Sequence, residues 1–339
     1  MKGVEIVLSE NKRVSIIDYL KGFSIFTIAL MHLIQMMSNV PSNIIKLSAI
    51  GGTGVHVFFV CSGFGLYLSY LNNKTSYVEF FKKRFMKIYV PYIIIVLISF
   101  CVPWMYSSDD RFQALLSHVF LYKMFIPQYE QSFGTHFWFV STIIQFYIVF
   151  IPLCLLKSKI KKNSVFVIIS LLISICWWVI CYITGVTEIR VWNSFFLQYI
   201  WEFSLGIVLA DNLNKGQRIS INILILSVLA LVGIGLQAIM AMKSEALKVF
   251  NDVPALIGYT SFALIFSNVQ IIKKSAEWLS KISYEYYLIH ILIFASVLHF
   301  VPKNNLVIQA FTGVGGIVLA ITGAFFYHKL VNKIAKRNI

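Results

Sequence analysis

At 339 residues, with 58% hydrophobic and 13% charged side chains, the chain is not a soluble globular protein, in which about a quarter of residues are charged. Its formal charge of +15 and mean hydropathy of +0.78 do not describe a nucleic-acid binder either. Of the 29 lysines and arginines, 22 fall on alternate connections between apolar segments, which is the positive-inside pattern of a protein whose partner is the lipid bilayer.

Windows of about 20 apolar residues recur along nearly the whole chain. They predict an all-α polytopic membrane protein of about ten transmembrane helices, one integral domain over residues 1–339, with the N- and C-termini cytoplasmic. The first span, Val14–Met37, is not a cleaved signal peptide, because Asp18 and Lys21 enter it and no small-residue cleavage site follows. His32 lies eleven residues after Lys21. That is close to three helical turns, so both side chains share a face, about 16 Å apart along the axis. Ionisable groups inside the bilayer are costly and are functional candidates by default.

The second span, Gly52–Leu71, runs back inward from Gly52-Thr53-Gly54-Val55-His56 and puts His56 near the outer face. The third, Ile88–Tyr106, is preceded by Lys82-Lys83-Arg84-Phe85-Met86-Lys87 and meets Pro91 one turn in. Arg84 and Lys87 share a helix face, and a cation-rich helix N-terminus on the cytoplasmic side suits a phosphate group. An outer segment, Ser107–Thr135, carries Asp109, Asp110, Arg111, His118, Lys123, Pro127 and Glu130. It reads equally as a lid or binding loop and as a solvated loop or short interfacial helix. The fourth span, His136–Leu156, opens on His136-Phe137-Trp138, so His32, His56, His136 and Trp138 are expected to gather toward the outer side.

Span five is Ser164–Thr184. Span six, Trp192–Asp211, holds Glu202 at mid-membrane, where a carboxylate must be paired or protonated. Then come Ser220–Ala241, Val253–Ile272, Ser283–Val301 with His290 two turns in, and Leu306–Leu330. His299 and His328 sit near span ends and read as structural. The five cysteines (Cys61, Cys101, Cys154, Cys176 and Cys181) lie in apolar runs without metal or CxxC spacing, so neither a disulfide framework nor a metal site is expected. There is no repeat between the halves and no matched pair of broken helices, the usual transporter pointer.

Five blocks, in order and in this topology, resemble the acyltransferase 3 family, ten-helix membrane O-acyltransferases that modify bacterial cell-surface glycans. Asp18-Tyr19-Leu20-Lys21-Gly22 with His32 is similar to its opening motif, an arginine ahead of an essential histidine. Gly54-Val55-His56-Val57-Phe58-Phe59-Val60-Cys61-Ser62-Gly63-Phe64 is similar to its second-helix signature, and Arg84-Phe85-Met86-Lys87-Ile88-Tyr89-Val90-Pro91 to its basic motif. His136-Phe137-Trp138-Phe139 with Gln145-Phe146-Tyr147 and Pro152 is similar to the fourth block, and Ile282-Ser283-Tyr284 through Tyr287-Leu288-Ile289-His290 to the late one. The chain departs from the family in having Lys21 and Lys87 where arginines stand, and Ile143-Ile144 where many members are acidic. Lysine keeps the cation but loses the bidentate fork.

The resemblance implies transfer of an acyl group, acetyl by default and succinyl as the variant, from cytoplasmic acyl-CoA to a hydroxyl of a glycan or lipid-linked glycan in the envelope. The enzyme would be a multi-pass protein of the bacterial cytoplasmic membrane, using acyl-CoA as co-substrate with no permanently bound cofactor and no metal. Lys21, Arg84 and Lys87 would hold the CoA phosphates. His32 would be the general base, with a covalent acyl-histidine left open. Trp138 and Tyr147 would shape the pocket, and Ser62 or Ser283 would donate to the oxyanion. Asp18, His56, His136, Glu202, Tyr287 and His290 would support them. A glycan or small-molecule exporter without acyl chemistry is the rival reading, followed by a structural subunit of an envelope complex. Composition does not separate lipid-facing surface from an apolar interface, so the oligomeric state is left open.

Overall fold

In hydrocarbon every backbone N–H and C=O must be satisfied within the segment, which makes an apolar run a helix. The computed structural model describes residues 3–6, 14–244 and 246–337 and follows that rule. After strand β1 (Gly3–Ile6) come α1 (Ser15–Met36), α2 (Ser42–Ser48), α3 (Gly54–Asn72), α4 (Tyr77–Cys101), α5 (Arg111–Val119), α6 (Trp138–Lys159) and α7 (Asn163–Ile183). The second half holds α8 (Arg190–Asn193), α9 (Phe196–Asn214), strand β2 (Ile219–Asn222), α10 (Ile223–Lys243), α11 (Asp252–Phe266), α12 (Gln270–Leu279), α13 (Ser283–His299) and α14 (Leu306–Arg337). Each of the ten expected spans corresponds to a helix. Among the described residues, eight helical segments are long and apolar enough to cross a bilayer. The expected spans outside that set are α9, which carries Glu202 and Asp211, and α11, which has 15 residues. The chain is a multi-pass membrane protein.

Contacts sort the helix ends into two groups. At one end β1 pairs antiparallel with β2, Lys157 and Lys215 pair with Asp211, and Asn163 donates to Asp211. The N-terminal strand, the α6–α7 turn and the α9–α10 connection therefore lie on one side. At the other end Asn39 donates to the Lys303 carbonyl, Arg190 pairs with Glu130 at 3.0 Å, and Gln237 donates to Thr53.

Several boundaries differ from the sequence reading, each for a local reason. α4 starts at Tyr77, eleven residues before the expected Ile88, because Ser76 and Glu79 form a capping box there. The basic run is thus inside the helix rather than at its N-terminus, Pro91 lies deep in it, and the N-terminus of α4 is not beside Arg84 and Lys87. The eighth span stops at Phe266, and Gln270–Leu279 forms a separate amphipathic helix. A two-stranded ribbon joins the otherwise helical fold.

The segment 107–135 is a folded plug. The Arg111 guanidinium reaches the carbonyls of Ser99, Phe100, Val102, Pro103 and Tyr106, and so caps the C-terminal turn of α4. Lys123 is buried and donates to the carbonyls of Ser132 (2.9 Å) and Gly134 (2.6 Å). Burial pulls its ammonium down to about 7. On the far side of the bundle α3 and α9 touch backbone to backbone. A Cβ on Gly63 would lie 2.1 Å from the Phe203 carbonyl oxygen, and one on Gly206 would lie 2.0 Å from that of Val60. Glycine at both places permits the approach.

Candidate active site

A cavity of about 330 Å³ runs between α1, α3, α4, α6 and α13. Its wall carries Lys21, Arg84 and Lys87 with Ser62 and Tyr147, and also His32, His136, Trp138, Ser283 and Tyr287. Ten of the candidate residues named from sequence thus meet in one space. Arg84 also lines a second, polar pocket with Ser69, Tyr70, Asn73 and Lys83. Lys21 lies eleven residues from His32 on the same α1 face, so the cations occupy one stretch of the cavity and the imidazole another.

His32 is not alone. Its Nδ1 lies 2.8 Å from Nε2 of His290, with the rings 17° from parallel. His290 is fully buried, and its Nδ1 faces the carbonyl oxygens of Tyr287 (2.8 Å) and Tyr286 (3.1 Å). A carbonyl only accepts, so His290 Nδ1 carries a proton. In the neutral ring Nε2 is then an acceptor, and His32 Nδ1 must be the donor to it. Nε2 of His32 is left as a bare lone pair on a cavity-lining side chain. This is the arrangement of an oriented general base: a ring whose second nitrogen is held by a fixed partner.

His136 packs beside them, its ring centroid 4.9 Å from that of His290 and 6.2 Å from that of His32. Among the described residues neither ring nitrogen meets a partner at full hydrogen-bond geometry, though the Leu288 backbone lies close by. Gly134, at φ +139°, makes the turn that brings it in: a Cβ there would lie 2.7 Å from His136 Cε1. Tyr287 donates to the His136 carbonyl at 2.6 Å and ties α13 to the start of α6. Trp138 is held from behind by Arg190, whose guanidinium lies 5.5 Å from a ring centroid. Ile143 lines the cavity and makes that wall apolar.

Four candidates, Asp18, His56, Glu202 and His290, are not in the cavity wall, and His290 stands behind His32. Asp18 is in the first turn of α1. His56 was expected to join His32 and His136, but it points the other way on α3 and pairs with Glu202 of α9 at 2.7 Å. Its neighbour Val55 lines the cavity, and adjacent helical residues are about 100° apart, so one residue of register separates the two faces. Sequence reasoning missed Asp252 and Gln198, which complete the His56–Glu202 group from α11 and α9. The i, i+4 spacing of Gln198 and Glu202 was the only signal of that group along the chain.

No curated protein and no solved structure matches the chain. Residues 14–327 match the family described as an acyltransferase domain, a stretch that begins just before α1 and ends within α14, and the chain therefore belongs to the acyltransferase 3 family of membrane acyltransferases.

Proposed function

We propose that the protein moves an acyl group, acetyl in the simplest case, from acyl-CoA at the cytoplasmic side to a hydroxyl of an envelope glycan or lipid-linked glycan. The observation that carries this reading is one cavity with a cationic stretch and an oriented imidazole. Lys21, Arg84 and Lys87 offer charge-assisted contacts to the phosphates of CoA. The polar pocket that shares Arg84 gives the nucleotide end a place on the same side. The pantetheine arm then lies along α1, about 16 Å from Lys21 to His32 at 1.5 Å per residue.

His32 Nε2 takes the proton of the acceptor hydroxyl as its oxygen attacks the thioester carbonyl. The C–S bond breaks, the ester C–O bond forms, and the proton leaves with the thiolate as CoA–SH. The His32 Nδ1–H stays donated to His290, whose own N–H is held by Tyr287, so the transient imidazolium is stabilised through a fixed chain. Ser62 and Ser283 also line the cavity and are candidate hydrogen-bond donors to the substrate. An ester-forming step on an activated thioester needs no metal at this cavity.

Protein in nanodiscs incubated with radiolabelled acetyl-CoA and an envelope glycan extract tests the reading. Label should appear on glycan with the intact protein and not with His32→Ala. CoA release without labelled glycan would sink the acceptor assignment. No turnover with acetyl- and succinyl-CoA would favour an exporter. Label on protein in the absence of glycan, released by neutral hydroxylamine and lost in acid, would replace the general base by an acyl-histidine enzyme.

A further inference from the structure

Behind the cavity wall, α3, α9 and α11 bring three groups together that the reaction above does not use. One ligand atom from each of His56, Glu202 and Asp252 lies within 4.8 Å of the others. Glu202 is fully buried and Asp252 is 5% exposed. Glu202 Oε1 is met by His56 Nδ1 at 2.7 Å, but among the described residues Glu202 Oε2 has no partner. Gln198, one turn earlier on the same face of α9 and 2% exposed, donates its amide nitrogen to Asp252 at 2.8 Å, while its Oε1 is also unmet. Further buried acceptors nearby are unmet among the described residues, beside an unmet donor, Trp201 Nε1. Asn251 Oδ1 and Gln237 Oε1 are buried without a partner, next to Asp252 in sequence and bonded to Thr53 one turn from His56, respectively.

Buried acceptors without donors cost about 1–3 kcal/mol each, and more when charged. A proton placed on one carboxylate supplies one donor and leaves the other oxygens unmet. A divalent cation serves several acceptors at once. It also closes the charge balance: a neutral imidazole and two carboxylates carry −2, and one such ion makes the group neutral within the bundle. Mixed nitrogen and oxygen donors suit Zn²⁺ and its first-row neighbours better than Mg²⁺ or Ca²⁺. Bonds of about 2.0–2.2 Å to one ion put tetrahedral donors roughly 3.4 Å apart, so side-chain shifts on the order of an ångström would gather these groups onto it.

We propose that His56, Glu202, Asp252 and the Gln198 amide oxygen bind one divalent transition-metal cation of the Zn²⁺ class, which clasps α3, α9 and α11 together behind the cavity. The clasp reaches the cavity through rings. His56 sits edge-on to Tyr199 at 5.7 Å, and Tyr199 stacks on Trp138 at 6.2 Å, which lines the cavity. The ion is thus a positioning element for Trp138. The inference is independent of the acyl-transfer reading and revises the expectation that the chain holds no metal.

The test uses the full chain in nanodiscs, purified without a polyhistidine tag, stripped with EDTA and then given Zn²⁺. Elemental analysis after removal of free ion should find about one Zn²⁺ per chain, and the melting temperature should rise. Glu202→Gln and Asp252→Asn should each weaken retention by at least about tenfold, the usual loss for a removed ligand or its support. X-ray absorption at the zinc edge of the unmutated protein gives a readout that survives if these variants fail to fold. One imidazole among oxygen scatterers supports the site. Two or more imidazoles would place the ion on His32, His136 and His290 and overturn the proposal, as would retention of well under one ion per chain or retention unchanged in Glu202→Gln.

Discussion

Two histidines of this protein make nearly the same contact with opposite consequences. His32 and His56 each place Nδ1 within 2.8 Å of a buried partner on another helix. His32 meets a second imidazole whose own proton is committed to the backbone, and its free nitrogen belongs to a cavity that also holds three cations. His56 meets a carboxylate inside a wall of acceptors, with a second carboxylate close by. The comparison teaches that a membrane histidine takes its role from what its partner has left to give. A partner with a lone pair makes the ring a base; a partner with surplus negative charge makes it a ligand.

The most severe way to break the cavity side is to remove the base. His32→Ala should lower kcat by about 10²- to 10⁴-fold, the usual worth of general base catalysis, in the labelled-acetyl assay. His290→Ala should cost less but still above about 10-fold, because it frees the tautomer without removing the ring. Next, Arg84→Ala and Lys21→Ala should each raise KM for acyl-CoA by at least about 10-fold with a smaller change in kcat, as expected for a lost charged hydrogen bond. Equal losses in kcat for these two would show that the cations act in the transition state instead.

The sealed side is sharpened by stability rather than rate. Gly206→Ala puts a methyl group where the Val60 carbonyl oxygen lies 2.0 Å away, forcing α3 from α9. Overpacking of this kind costs about 1–3 kcal/mol, which should appear as a lower melting temperature in nanodiscs.

A separate effect is a pH slope from the plug. Lys123 titrates near 7 in the folded protein against an ordinary 10.5. Between these values the unfolded chain binds a proton that the folded chain does not, so stability rises with pH across that interval. Below about 7 the burial penalty is fully present. Lys123→Met should flatten the slope in thermal melts from pH 7 to 10; an unchanged slope would assign it elsewhere.

Much of this was legible along the chain. The hydrophobic windows located every long helix, since in lipid the backbone leaves few alternatives. Lys21 and His32 shared a face by spacing alone, and ten named residues meet in the cavity. What the chain hid were choices made by partners far away in sequence. His56 and Val55 are adjacent, and only the packing of α3 on α9 decides which faces the cavity. His290 was a deep histidine of uncertain purpose until α13 was placed beside α1. The capping box at Ser76 and Glu79 was readable from its spacing, but the apolar window that starts later overshadowed it and misplaced the basic motif at a helix end. Asp252 drew no notice because it opens a short helix at the edge of its apolar run.

The His32–His290 bond joins residues 258 positions apart, and its consequence lies in biogenesis. α1 is made early and α13 nearly last, so the newborn first helix waits in the bilayer with an unmatched imidazole until most of the chain has followed. Chains cut short by stalled synthesis or proteolysis before α13 lack the partner that fixes the reactive tautomer. Such fragments retain the cations but not the imidazole pair, so the cavity is completed only when nearly the whole chain has been made.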